Sequence, residues 1–256
     1  MRVSELWRYP VKSLGGERLS EAVAAGDGFV GDRSWGILDV ATGRILTGRR
    51  EPRLLFGAAT VTPEGAPRIL LPGGEIVTGL GPASDAALTA WLGKPVQLVA
   101  ATESPAARAE YFADATNDAS DALEWTMPKD RFVDAMPLLV LTTAGLRAGK
   151  AAYPDGDWSV VRFRPNIVVE LDGEGWLEDA WCGHVLRAGG IVLAPRQPCI
   201  RCTMVTRAQP SVGKDVDIYK TLARTHGATA GVWSAIVATG SIREGDAVSV
   251  EPSRGA

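Results

Sequence analysis

The sequence predicts a mainly β protein with a few helices, built from β-barrels rather than from an open parallel sheet. Three observations carry this. Short apolar runs recur along the chain, most of them bounded by Gly, Pro or Asp, as strands closed by turns are. Only a few segments have the length and caps of a helix. Strands at this density, with no internal repeat, favour barrels.

The elements follow in order. Val3 to Tyr9 is a first strand. Trp35 to Val40 and Arg44 to Thr47 form a hairpin across Ala41-Thr42-Gly43, where glycine supplies the turn. Leu54 to Val61, Arg68 to Leu71 and Glu75 to Thr78 continue as strands, separated by Pro63-Glu64-Gly65 and Gly73-Gly74. Ser84 to Leu92 is the first helix, with Ser84 as its cap and Gly93 after its end. Val96 to Ala100 returns to strand. Residues 101–131 are polar and Ala-rich, with Ser104-Pro105 and Asn117-Asp118, and read as a connection carrying some helix.

Pro137 to Leu141 is then a buried strand that leads into a helix from Thr142 or Thr143 to Ala152. Val160 to Leu171 is a long strand interrupted at Pro165, which removes a ladder hydrogen bond and so belongs at an edge, a bulge or a site rim. Val185 to Arg187 and Ile191 to Ala194 pair over Gly189-Gly190, and Val216 to Thr225 is helical. Val232 to Ala238 and Ala247 to Val250 are closing strands around Gly240 and Gly245-Asp246.

Composition limits the function classes. With 46% hydrophobic residues the chain has enough apolar material for one large core or two modest ones. A net charge of −3 gives no general nucleic-acid or anionic-membrane binder. Met1 to Pro10 carries Arg2, Glu5 and Arg8, so it is no signal peptide. No apolar run approaches the ~20 residues of a membrane helix, and a cytoplasmic protein is expected. The three cysteines, Cys182, Cys199 and Cys202, are too few for a disulfide framework or a plant-type iron–sulfur site. Any electrons must come from outside the chain.

Cys199-Ile200-Arg201-Cys202 is the run that carries chemistry, and alone it has several readings. A thioredoxin-like pair needs a helix N-terminus after the first cysteine, and here strand-like residues lie on both sides. Structural zinc needs four ligands; Cys182, His184, Cys199 and Cys202 make four, at poor spacing. A zinc deaminase pairs Pro-Cys-x-x-Cys with His-x-Glu, but the residue two after His184 is Leu186. The remaining reading is that both cysteines are buried filler. Against filler stand Arg201 between them and Arg196 and Arg207 at the flanks, since guanidinium charge favours thiolate and a thiolate ligates soft or high-valent metals.

The surrounding sequence bears on the choice. Arg162-Phe163-Arg164-Pro165-Asn166-Ile167-Val168-Val169, followed by Pro198-Cys199-Ile200-Arg201-Cys202, resembles the MOSC domain of molybdenum cofactor sulfurases and of the mitochondrial amidoxime-reducing component. Tyr9-Pro10-Val11-Lys12-Ser13-Leu14, Gly31-Asp32-Arg33 and the run from Leu46 to Leu54 resemble the β-barrel domain that precedes it. Ser241 to Val248 resembles the closing strand pair. On this resemblance residues 1–110 form the N-terminal β-barrel domain, 111–131 a connecting segment and 132–256 the MOSC domain.

The resemblance implies molybdenum cofactor as the bound group, with Cys202 as both metal ligand and catalytic residue. Cofactor contacts carry over to Lys12, Ser13, Arg33, Thr142, Thr143, Arg164, Asn166 and Arg201. These residue types suit the chemistry: the pterin ends in a phosphate, which attracts lysine and guanidinium forks. Serine, threonine and helix-start N–H groups also bind anions, and an asparagine amide both donates and accepts. The family is also associated with pyridoxal phosphate binding. His184 and His226 read as turn or surface residues.

The implied activity is reduction of N-hydroxylated or other N-oxygenated small compounds, with electrons from a separate ferredoxin, flavodoxin or cytochrome b5-like protein. The alternative is a cofactor carrier or sulfur-transfer accessory without turnover. Two departures from the family pattern bear on substrate. Ile200 stands where relatives place Ser or Thr, and Arg207 replaces part of a Thr pair of which Thr206 remains.

Overall fold

Most of the apolar runs fold as strands. The computed structural model describes residues 1–104, 107–112, 114, 117, 120, 122–128 and 130–253, with the backbone alone at 111, 112 and 122. The chain is mostly β. It divides into two compact units that are not consecutive stretches: residues 1–7, 18–30 and 135–256 form one, and 8–17 with 31–134 the other.

In the first unit an eight-stranded sheet runs in the order Val248–Pro252, His184–Ala188, Ile191–Ile200, Thr229–Ala238, Leu138–Thr142, Ile167–Glu170, Arg2–Arg8 and Glu17–Leu19. Val3, Leu6, Leu138, Val140, Ile167, Leu193 and Val232 point into its main core. Gly231, at φ +75°, lies where a Cβ would come within 2.7 Å of the Val140 carbonyl oxygen, so only glycine lets these two strands meet there.

A second cluster, Leu141, Trp158, Phe163, Val205, Ile218, Leu222 and Ala230, packs beside the helices Thr143–Ala152 and Asp217–His226. Gly149 faces Trp158 so closely that a Cβ would stand 2.3 Å from the indole ring. Gly149→Ala is therefore expected to destabilise by about 1–3 kcal/mol despite its better helix propensity. A urea melt measures this, and an unchanged midpoint would show that the indole yields freely.

The second unit has a five-stranded sheet in the order Val96–Ala100, Trp35–Asp39, Arg44–Ile45, Arg108–Phe112 and Ala122–Thr126, and a three-stranded one of Ala58–Val61, Pro67–Leu70 and Ile76–Thr78. The Ala41-Thr42-Gly43 hairpin forms as expected, with Asp39 Oδ1 accepting from the backbone N–H groups of Ala41 and Thr42. Val11, Leu14, Ile37, Leu54, Leu88 and Leu98 fill the core.

The helix read from Ser84 begins at Pro82 with Gly81 in the cap position, and Ser84 lies inside it with its hydroxyl donating to the Gly79 carbonyl; three further segments differ from the sequence reading. Leu54 to Val61 is split: Pro52–Phe56 is a 3-10 turn, because proline suits the first helical position, and Ala58–Val61 is the strand. Residues 101–131, read as a partly helical connection, carry the antiparallel strands Arg108–Phe112 and Ala122–Thr126 after a short 3-10 turn at Ala101–Glu103; Pro105 and Asp118, which suggested loop, lie outside the described residues. Val160 to Leu171 is not one strand. Val160–Phe163 is a helical turn, closed by Arg164 at φ 54° before Pro165, and the strand is Ile167–Glu170. Among the described residues no helix is long and apolar enough to cross a membrane.

Candidate functional site

The strand Ile191–Ile200 ends in the Cys-x-x-Cys run. Its pairing with Thr229–Ala238 shifts between Pro198 and Ile200, and such a bulge re-aims side chains. Cys199 turns inward and is buried, whereas Ile200 is 59% exposed. Cys202 is partly exposed, in extended backbone at the start of the 3-10 turn Thr203–Thr206. The two cysteines are thus unequal: Cys199 is sealed in the interior, and Cys202, just past the strand end, is partly exposed.

Arg201 ties this corner together. Its backbone N–H donates to the Ala228 carbonyl (2.8 Å), Nη2 donates to the Phe163 carbonyl (2.8 Å), and Nη1 donates to Cys199 Sγ (2.9 Å). The guanidinium also lies 5.8 Å from the Phe163 ring centroid. Nε is buried with no hydrogen-bond partner, a state that costs free energy unless a ligand satisfies it. Arg164 follows Phe163 directly, so Arg201, Arg164 and Cys202 belong to one corner.

A residue that sequence reading passed over supports this corner from below. Arg162 is 1% exposed, and its guanidinium donates to the carbonyls of Asp157 (2.7 Å), Val205 (3.3 Å), Gly213 (2.9 Å) and Arg207 (3.5 Å). It holds the loop that follows Cys202. The signal was present in Arg162-Phe163-Arg164, where an arginine two residues from another on a strand would share its face. The helical turn separates them, sending Arg162 inward.

The other expected contacts in this unit have hydrogen-bond partners within the fold. Asn166 is 1% exposed; its Oδ1 accepts from Leu139 N–H and its Nδ2 donates to the Trp7 carbonyl, clamping two strands to its own. Thr142 caps its helix: Oγ1 accepts from Gly145 N–H and donates to Glu178 Oε2 at 2.6 Å. Thr143 Oγ1 accepts from Leu171 N–H and from Arg147 Nη1. Both hydroxyls are turned toward their own helix and its neighbours. His226 is no surface residue: it stacks on Trp176 at 4.6 Å, with Nε2 2.8 Å from Asp179 Oδ2.

Glu178, unremarked in the sequence, is fully buried, and its Oε1 has no hydrogen-bond partner. Burial pushes its carboxyl pKa up, opposed by the Thr142 hydroxyl and backbone N–H groups and reinforced by the charge of Asp179. A carboxyl with a raised folded pKa favours the folded state fully only below the pKa it has when unfolded. That contribution fades as pH rises through the folded value. Glu178→Gln is therefore expected to be more stable than wild type at neutral pH by about 1 kcal/mol, with the gain vanishing in acid. Melting curves from pH 4 to 8 check it; a gain that grew in acid would reverse the sign.

In the second unit Lys12, Ser13 and Arg33 form a corner of their own. Trp35 N–H donates to the Pro10 carbonyl, Lys12 N–H to Trp35, and Arg33 N–H to Tyr9, locking the two segments together. Lys12 is 5% exposed, and Nζ donates to the Phe132 carbonyl (3.1 Å) and pairs with Asp134 Oδ1 (2.5 Å). Ser13 Oγ accepts from Gly48 N–H. Arg33 lies over the Tyr9 ring at 4.7 Å and pairs with buried Asp32 at 2.6 Å. Burial opposes the Arg33 charge, but the Asp32 carboxylate outweighs it and holds the guanidinium above its ordinary pKa. These are not solvated surface charges.

Backbone strain marks the same positions. Of the five described non-glycine residues with positive φ, three are Ser13 (69°), Arg33 (48°) and Arg164 (54°), and a fourth, Ala228 (58°), accepts from Arg201 N–H. Non-glycine residues in this region cost roughly 1–3 kcal/mol each and concentrate at ligand sites. For a cofactor with a phosphate and a thiolate-liganded metal, the residues fit: a partly exposed thiol, a buried orphan N–H on Arg201, and arginines held in strained corners. Among the described residues no group of three or more His, Cys, Asp or Glu is placed to hold a metal, which removes the four-ligand zinc reading of Cys182, His184, Cys199 and Cys202.

Comparison with known proteins bears on this. Residues 1–117 match the family profile of the MOSC N-terminal beta barrel domain, and residues 128–249 that of the MOSC domain. The chain is 26% identical over 240 residues to mitochondrial amidoxime-reducing component 1 of Mus musculus, covering 82% of this chain and 66% of the relative. It is 27% identical over 241 residues to the Homo sapiens counterpart, covering 82% and 67%. It therefore spans about two thirds of the length of these relatives. Among solved structures, the YUAD protein from Bacillus subtilis covers 99% of this chain, which covers 96% of it, with a TM-score of 0.50 at 10% identity; that likeness concerns the fold alone.

Proposed function

The chain belongs to the MOSC family, with both the N-terminal β-barrel domain and the MOSC domain, and on that premise we propose that it is a molybdenum-cofactor-dependent reductase of N-hydroxylated or other N-oxygenated compounds. The observation that carries the reading is the corner at Cys202: a partly exposed cysteine next in sequence to an arginine anchored at three points, with one buried N–H unsatisfied. The names of the similar amidoxime-reducing components supply the reaction class.

When bound, the molybdenum centre supplies two-electron oxygen-atom chemistry, with electrons arriving from a separate carrier of the ferredoxin, flavodoxin or cytochrome b5 kind. The protein's own part is ligation, anchoring and access. Cys202 offers the thiolate. Arg201, adjacent in sequence, and Arg164, whose backbone adjoins the Phe163 anchor of Arg201, are the candidates to supply positive charge for an anionic ligand set. Lys12, Ser13 and Arg33 are candidates for cofactor contact on the resemblance alone. Ile200, exposed and apolar two residues before Cys202, offers a substrate hydrophobic surface where relatives offer a hydroxyl.

The test is to produce the chain in a host that makes molybdenum cofactor, measure metal and pterin, and assay amidoxime and hydroxylamine reduction with an artificial donor. Near-stoichiometric molybdenum with turnover is expected. Stoichiometric molybdenum without turnover on any N-oxygenated compound would favour the carrier function, which Ile200 makes worth testing. Absence of molybdenum would overturn both.

A further inference from the structure

Cys199 enters the reading above only as one of the three anchors of Arg201, through the Nη1–H that its sulfur receives. We propose that Cys199 is a positioning residue for the metal corner: it fixes the orientation of Arg201, and so the charge presented beside Cys202. The proposal rests on the reading of Cys202 as the ligand.

The argument begins with the bulge. The shift in pairing at Pro198 to Ile200 turns Cys199 into the interior, where it is 3% exposed. Buried cysteine is ordinary filler when only apolar groups touch it. Here Sγ stands 2.9 Å from Nη1 of Arg201, and its own hydrogen has the Ile200 carbonyl oxygen at 3.7 Å. The sulfur therefore accepts on one side and donates on the other.

Arg201 needs that second anchor. Nη2 is held by the Phe163 carbonyl, but a planar guanidinium fixed at one terminal nitrogen still swings about that bond. Held at Nη1 as well, it has one orientation, and Nε is carried with it into its buried position. Preorganised charge of this kind acts without reorganisation when the site is used. The Phe163 carbonyl lies next to Arg164, so the anchor also ties the Cys202 segment to the strained arginine corner.

Serine at 199 would keep both roles, since a hydroxyl accepts and donates. Alanine and valine keep neither, and valine keeps the volume. In apoprotein labelled with nitrogen-15, the Arg201 guanidinium N–H signals are expected to be resolved and slow to exchange in wild type and Cys199→Ser. They are expected to be averaged and fast in Cys199→Ala and Cys199→Val. In loaded protein, Cys199→Ala is expected to keep molybdenum within about twofold while its Mo(V) resonance shifts. Its kcat is expected to fall about tenfold, ~1.4 kcal/mol of barrier, with KM changed less than twofold. Cys199→Ser is expected to restore both. Unchanged Arg201 signals in Cys199→Ala would overturn the proposal, as would Cys199→Ser behaving like Cys199→Ala. If Cys199→Ala does not fold, Cys199→Val decides by the same criteria. If wild type takes up no molybdenum, the proposed function fails, while the apoprotein signals still decide whether Cys199 holds Arg201.

Discussion

Cys202→Ala is expected to bring molybdenum from near one atom per chain to background and to lower turnover by more than about a hundredfold. The bound is reasoned from below. Losing a group that merely orients a metal ligand costs about 10–100-fold in affinity or activity, so losing the ligand itself costs more. Cys202→Ser is expected to retain part of the metal, because an oxygen donor still binds a high-valent centre, though less softly. Metal analysis and reductase assays on the purified variants measure both. Full molybdenum in Cys202→Ala would overturn the ligand assignment, and Cys199→Ala makes the comparison sharp. The structure also separates the cysteines, since Cys202 is partly exposed and Cys199 lies in the core.

The second large effect belongs to Arg162. Arg162→Leu keeps much of the buried volume but abandons the carbonyls of Asp157, Val205, Arg207 and Gly213. Losing one member of a buried charged network typically costs about 3–5 kcal/mol, because the remaining polar groups keep their desolvation penalty. For a protein of this size that corresponds to a melting temperature lower by roughly 10 °C. Arg162→Lys is expected to recover little: one ammonium point cannot reach carbonyls spread along two segments as the guanidinium fork does. Chemical unfolding monitored by tryptophan fluorescence is well suited, because Trp158 packs in the same cluster. A loss below 1 kcal/mol would show that the loop after Cys202 is held by other means.

Arg162 also shows where sequence reasoning stops. An arginine among Val160, Val161 and Phe163 looks like the polar face of a strand, and alternation supports that. The segment is instead a helical turn, because Arg164 takes left-handed backbone before Pro165 and Arg162 finds four carbonyls inside. Those carbonyls belong to residues up to 51 positions away, so no local pattern announces them. Glu178 is the same case: nothing in Leu177-Glu178-Asp179 says that the carboxylate is buried against Thr142.

By itself, the sequence determined the β-rich class, the helices at Pro82–Leu92, Thr143–Ala152 and Asp217–His226 to within a few residues, and the hairpins, and it singled out the Cys202 region as the candidate seat of chemistry. These depend on turn residues, caps and short motifs, which act over a few neighbours. Only the tertiary structure decided which cysteine is buried, that Arg201 is anchored on Cys199, that Asn166 and Thr142 bond within the fold, and that residues 1–7 and 18–30 pack in one unit with 135–256. These depend on desolvation and on hydrogen bonds between segments far apart in the chain, and such terms are set only when the folded core excludes water.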